Sequence, residues 1–465
     1  MVPGSRRRFH LDGALLSAMV RRDRQAAGEI PDLQGLGPGP WRPGLGIRDS
    51  GFDDGDSAVD GERVWRELET LASFSDAPAP AVTRIVFDEM DLRARAYIKA
   101  LCAEASLLVH EDAVGNTFAR WLGRDPKLPP VATGSHCDAI PNAGRFDGTV
   151  GVLGGLEAIR ALQRAGCQPR RSIDLVLFTS EEPTRFGIGC LGSRLLAAAL
   201  DPSVGDTLTS NGESLNKIRA STGFSGALND VPLQTGAYAA FVELHIEQGP
   251  ILERLKLDIG VVTAIAAPAS LRIFIEGEGG HAGAVLMPDR HDAFLAAAEI
   301  ALAVEAAARS TGSSDTVATC GVCELFPGAI NSVPSRARLE IDVRDIDPAR
   351  RDSVLAKIRR ASDDVASRRG VTVRSEPINA DPPALCAQPI IDAIVSACDA
   401  RQLRYLRMIS RAYHDSLFMS RIAPAGMIFI PCRGGVSHRP DEYASPDAIA
   451  HGTADVGRYA RFAGA

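Results

Sequence analysis

From about residue 60 onward, apolar positions fall into two alternating rhythms. Short, nearly unbroken runs (PPVATGS, IDLVLFTS, AAFVELHI, AGMIFIPC) read as strands covered on both faces. Between them, RARAYIKALCAEA reads as a helix, and GVLGGLEAIRALQRAG places Val152, Leu156, Ile159 and Leu162 close to helical spacing. Alternation of this kind predicts an α/β fold with a central β-sheet flanked by helices.

Between residues 264 and 381 the rhythm changes. SLRIFIEGEG alternates, RHDAFLAAAEIALAVEAAA is a long helix, and TVATCGVCEL and RARLEIDVRDI are strands. RRDSVLAKIRRASDDVASRRG is a second helix and VTVRSEPI closes the series. That order, β-α-β-β-α-β, is the ferredoxin-like pattern of a small domain. The larger domain is expected to comprise residues 61–263 and 382–465, with 264–381 inserted. Residues 1–60, rich in Gly, Pro, Arg and Asp, read as a poorly ordered leader without chemistry of its own.

Composition narrows the classes. Of 465 residues, 45% are hydrophobic and 23% charged, as in a globular chain. The formal charge of −7 and only 5% aromatics argue against a nucleic-acid partner. No apolar run approaches the ~18 residues of a membrane span. Nine cysteines without regular spacing read as reduced thiols, which places the chain in the cytoplasm; Arg6, Arg7 and Arg8 leave an N-terminal targeting segment open.

Candidate ligands stand at or just beyond the carboxyl ends of the apolar strands: His136, Asp147, the pair Glu181 and Glu182, His245 and His438. In open α/β sheets that edge is where ligands bind. Three imidazoles and two carboxylates can hold two divalent ions ~3.5–4 Å apart if one carboxylate is shared. The second glutamate of the pair is then free for proton transfer. With no thiolate in the set, Zn, Mn or Co is favoured over a structural cysteine site.

The runs GSHCDAIPNAGRFDGTVGVLGGLEAI, FTSEEPTRFGIGCLGSR and ELHIEQGPILE resemble the M20-type metallopeptidase clan, in particular its carbamoylase and allantoate amidohydrolase branch. The resemblance implies two divalent ions per subunit, manganese by family habit, with zinc or cobalt as alternatives. His136 and His245 would hold one ion, Glu182 and His438 the other, and Asp147 would bridge. Asp138 would orient His136, and Glu181 would be the general base. GGHAGAVLMPDRHDA resembles the segment whose histidine, here His281, reaches a partner subunit's site to stabilise an oxyanion, which implies a homodimer and makes the inserted domain a lid and dimerisation unit. Asn331 and Arg344 would bind a substrate carboxylate, and Gln248 the ureido group.

RMISRAYHDSLFMSRIAPAGMIFIPCRGGVSHRPDEYAS resembles the ureidoglycolate amidohydrolase branch most. Ser410, Arg411, Ala412, Tyr413, His414 and Asp415 stand where relatives more often carry a small-residue version, S-G-A-G-H-D. Tyr413, in place of a small residue, would shrink the pocket, and His414 would contact substrate. The resemblance implies hydrolysis of a small ureido acid, ureidoglycolate, to ammonia, carbon dioxide and eventually glyoxylate. The alternatives are allantoate amidohydrolase or N-carbamoyl-L-amino-acid hydrolase, and, in another class, a non-catalytic metal-binding homologue. Glu181 beside five ligands argues against the last.

Overall fold

The computed structural model describes residues 59–464; the expected leader, residues 1–60, lies almost wholly outside them. At its centre, strands Ala425–Ile430, Ala240–Ile246, Val131–His136 and Ile173–Phe178 lie side by side in that order, all parallel. Every residue of the four is buried, as their unbroken apolar runs require. Antiparallel strands Thr117–Trp121 and Leu108–Glu111 extend one edge. At the other edge Ile259–Ile265 runs antiparallel to Ala425–Ile430 and is flanked by Tyr405–Ser410 and Ala384–Leu385.

Helices Thr149–Arg164 and Pro446–Gly464 pack on each other and on the parallel strands. The first is buried from Thr149 through Leu162, so small residues line most of its circumference. Because the four central strands point the same way, their carboxyl ends and following loops gather at one edge. His136 and His245 sit on two of those ends; Glu181 and Glu182 follow a third, and His438 follows the fourth.

A second, four-stranded sheet has the order Val317–Phe326, Arg336–Asp345, Ala267–Glu276, Thr372–Ala380, with all neighbours antiparallel. Helices Ala293–Arg309 and Pro348–Arg369 pack against it and enclose a separate hydrophobic cluster that includes Ile273, Ile300, Leu339 and Ile358. Their starts are set locally. The Asp292 carboxylate accepts from Phe294 and Leu295 N–H, and that of Asp347 from Ala349 and Arg350 N–H. Along the chain these elements follow one another as strand, helix, strand, strand, helix, strand. No helix among the described residues is long and apolar enough to cross a membrane.

Candidate metal centre

At the carboxyl edge of the parallel strands, Asp147 stands between two pairs of side chains. Its Oδ1 lies 3.5 Å from His136 Nε2 and 3.3 Å from His245 Nε2. Its Oδ2 lies 3.5 Å from His438 Nε2, which in turn lies 3.2 Å from Glu182 Oε1. Donor atoms around one ion with bonds of about 2.0–2.1 Å sit about 3.3 Å apart in a tetrahedron. The four distances to Asp147 and His438 are close to that spacing. In each triad, His136/Asp147/His245 and Asp147/Glu182/His438, all donor atoms lie within 4.8 Å of one another, as a site for a divalent ion requires.

Backbone carbonyls fix the tautomers of the two buried imidazoles. His136 Nδ1 is 3.1 Å from the Asp138 carbonyl and His245 Nδ1 is 2.9 Å from that of Ile246. A carbonyl only accepts, so each Nδ1 carries a proton, and each Nε2 faces Asp147. Gly148 is needed for this approach: its φ is +66°, and a Cβ there would lie 2.4 Å from His136 Nε2.

Burial and charge act strongly here. Burial opposes protonation of His136, but Glu181, Asp147 and Asp138 outweigh it and hold the imidazole well above its ordinary value. Burial, then the carboxylates of Glu182, Asp415 and Asp138, hold Glu181 well above the usual carboxylate range against the pull of His136. Glu181 Oε2 lies 3.7 Å from His136 Nε2, and its Oε1 accepts the Cys190 thiol at 3.4 Å. Four buried carboxylates, Asp138, Asp147, Glu181 and Glu182, thus crowd one edge, a concentration that calls for a cation.

The expected orienting role of Asp138 takes a particular form. Its carbonyl holds His136, while its carboxylate, 3.7 Å from Nδ1, accepts the Glu181 and Glu182 N–H groups. Gln248 Nε2 donates to Asp147 Oδ2 at 2.6 Å, and its own Oε1 is buried without a hydrogen-bond partner. His414 is buried with Nε2 3.1 Å from Ser410 Oγ and its ring 4.5 Å from that of His245. Burial and the neighbouring His245 keep it well below its ordinary value, hence neutral.

The remaining expected contacts make no hydrogen bond to these ligands. His281 is exposed and accepts the Gly283 N–H at its Nδ1; it pairs with Ser332 across a short ladder, beside the exposed Asn331. Arg344 is half-buried, bonded to Asp342 and to the Arg411 carbonyl, two residues before Tyr413. The Tyr413 hydroxyl accepts from Arg194, which is paired with Asp381, and its ring packs on Phe418.

Three participants carried no sequence signal. Glu243 is fully buried beneath the site, accepting from Ser135 Oγ at 2.7 Å and Ser416 Oγ at 2.6 Å. Ser437 donates to Asp147 Oδ2 at 2.6 Å. Glu442, buried beside it, accepts the N–H groups of Phe146 and Asp147. Glutamates are rarely buried, so nothing in their spacing distinguishes Glu243 or Glu442 from surface residues.

The model of Peptidase family M20/M25/M40 matches residues 132–461. Ureidoglycolate hydrolase of Arabidopsis thaliana is 55% identical over 403 residues, covering 85% of each chain. N-carbamoyl-L-amino acid amidohydrolase of Geobacillus stearothermophilus is 36% identical, covering 85% of this chain and 96% of that one. Crystal structures of AtUAH in complex with glyoxylate and with (S)-hydroxyglycine superpose with a TM-score of 0.83 at 53% identity, over 87% of this chain and 98% of theirs.

Proposed function

The chain belongs to Peptidase family M20/M25/M40, and from that premise we propose how its residues divide the work of a hydrolase acting on linear amides. The reaction is hydrolysis of the ureido amide of ureidoglycolate, in the breakdown of purine ureides, as the similarity to ureidoglycolate hydrolase over most of both chains supports. Ammonia and carbon dioxide leave, and the hydroxyglycine that remains decays to glyoxylate with loss of a second ammonia. Solved relatives holding glyoxylate and (S)-hydroxyglycine match this product series.

The observation that carries the site reading is the division of Asp147, one oxygen toward His136 and His245, the other toward His438 and its partner Glu182. Two divalent ions held there, manganese by our reading, supply Lewis-acid polarisation of the scissile carbonyl. Glu181 would take the proton of the attacking water and return it to the departing nitrogen; its raised affinity for a proton suits both steps. Gln248 Oε1, a buried acceptor without a partner, would receive a ureido N–H.

Arg344, with three of its five N–H groups engaged, retains donors for the substrate carboxylate, and Asn331 would add an amide. Tyr413, its hydroxyl tied to Arg194, would limit pocket volume through its ring and select a two-carbon acid, with His414 supporting the floor. We read residues 264–381 as an inserted ferredoxin-like lid that also dimerises. Exposed Leu286, Met287, Phe326 and Ile330 on that segment support a homodimer, and exposed His281 would serve the partner's site as oxyanion donor. Nine free cysteines accord with a reducing, cytoplasmic setting.

Ammonia release by the manganese-loaded protein, compared on ureidoglycolate, allantoate and N-carbamoyl-L-amino acids, tests the substrate assignment. A strong preference for ureidoglycolate is expected; a preference for either larger substrate would contradict it.

A further inference from the structure

His438 is the least anchored member of the cluster. His136 and His245 each donate Nδ1–H to a backbone carbonyl, whereas His438 is exposed and its residue sits in the left-handed region at φ +58°. One acidic side chain four residues on, Glu442, ties its loop to the Asp147 loop. We propose that Glu442 is a positioning residue that sets the His438 loop against the Asp147 loop, and so fixes the distance between the two halves of the metal centre. This rests on the reading that Asp147 is shared by two ions.

Glu442 Oε1 accepts the N–H of Phe146 at 2.7 Å and of Asp147 at 3.1 Å. Its Oε2 lies 3.0 Å from Ser437 Oγ, and that hydroxyl is 2.6 Å from Asp147 Oδ2. One buried carboxylate therefore grips the backbone of the bridging residue and, through the Ser437 hydroxyl, the residue preceding His438. These bonds join chain segments almost 300 positions apart. Packing is arranged around them. Trp65, Phe146 and Tyr443, the last two being chain neighbours of Asp147 and Glu442, pack tilted or edge to face with centroids 5.5–6.1 Å apart. Gly144 leaves the space that Glu442 fills, since a Cβ there would lie 2.3 Å from Glu442 Cβ and 2.4 Å from its Oε1.

Glu442 reaches neither ion position nor substrate, so it acts through Asp147 and His438. Residues that orient ligands in this way change metal affinity about 10–100-fold when removed. The test is calorimetric titration of the metal-stripped full chain with Mn2+, with thermal unfolding before and after loading. The parent is expected to take up two ions. Glu442→Ala should bind the second about 10–100-fold more weakly, and Glu442→Gln, which keeps an acceptor for the two N–H groups and offers its own N–H to the Ser437 oxygen, should recover the parent's affinity. If Glu442→Ala does not fold, Ser437→Ala carries the test, removing only the shared hydroxyl, with weakening of the second ion again expected. A folded Glu442→Ala or Ser437→Ala that binds both ions at parental affinity overturns the proposal. So does a Glu442→Ala whose metal-free melting temperature falls while the Mn2+-induced rise is unchanged. A parent that binds fewer than two ions contradicts the shared Asp147 itself, and the proposal falls with it.

Discussion

The Asp138 carboxylate accepts the backbone N–H of Glu182 at 3.0 Å, and its other oxygen accepts that of Glu181 at 3.2 Å. Both glutamates leave the strand Ile173–Phe178 through a turn that this one buried side chain shapes. Asp138 thereby sets the proposed ligand Glu182 and the proposed base Glu181 together, while its carbonyl sets His136. Asp138→Ala should therefore lower Mn2+ affinity about 10–100-fold and reduce turnover beyond what added metal restores. Metal analysis and kinetics at saturating Mn2+ check the two parts separately.

Glu181→Gln separates metal holding from proton transfer. Glu181 lies outside both triads whose donor atoms gather within 4.8 Å of one another. The variant should retain both ions and lose about 10²–10⁴-fold in kcat, the usual share of a general acid–base. Full activity would remove Glu181 from that role.

Gly148→Ala puts a Cβ 2.4 Å from His136 Nε2 and forces a side chain into φ +66°. Strain of that kind costs about 1–3 kcal/mol, and the imidazole must also retreat from Asp147. Both the melting temperature of the metal-free protein and its uptake of Mn2+ should fall.

Arg344→Gln should raise KM for ureidoglycolate with a smaller change in kcat, because the charge-assisted bonds it offers a carboxylate are worth about 1.5–3 kcal/mol. An unaltered KM would place carboxylate recognition elsewhere.

Chelation should destabilise the protein, because Asp138, Asp147, Glu181 and Glu182 are buried together and lose their counter-charge. An ion present at 100 times its dissociation constant contributes about 2.7 kcal/mol. Melting with and without chelator measures the difference.

Much of this architecture was legible from the pattern of residues. PPVATGS, IDLVLFTS, AAFVELHI and AGMIFIPC are the four buried parallel strands, and their shared direction is what brings His136, Glu182, His245 and His438 to one edge. The alternation in SLRIFIEGEG and RARLEIDVRDI likewise reports a sheet with one face on helices, now seen in Ala267–Glu276 and Arg336–Asp345. What escaped were charged side chains buried by long-range contacts. Glu442 meets Phe146 and Asp147 only after folding, and Glu243 is enclosed by Ser135 of one strand and Ser416 of a short helix. Tyr413 shows the same limit: the resemblance of its segment marks a residue near the site, but its hydroxyl is claimed by Arg194, which no local pattern reveals.

Diffraction from manganese-soaked crystals, collected at the manganese absorption edge, tests the shared carboxylate most directly. Two anomalous peaks about 3.5–4 Å apart, with Asp147 between them, His136 and His245 on one and Glu182 and His438 on the other, are predicted. A single peak, or two that do not share Asp147, would contradict it.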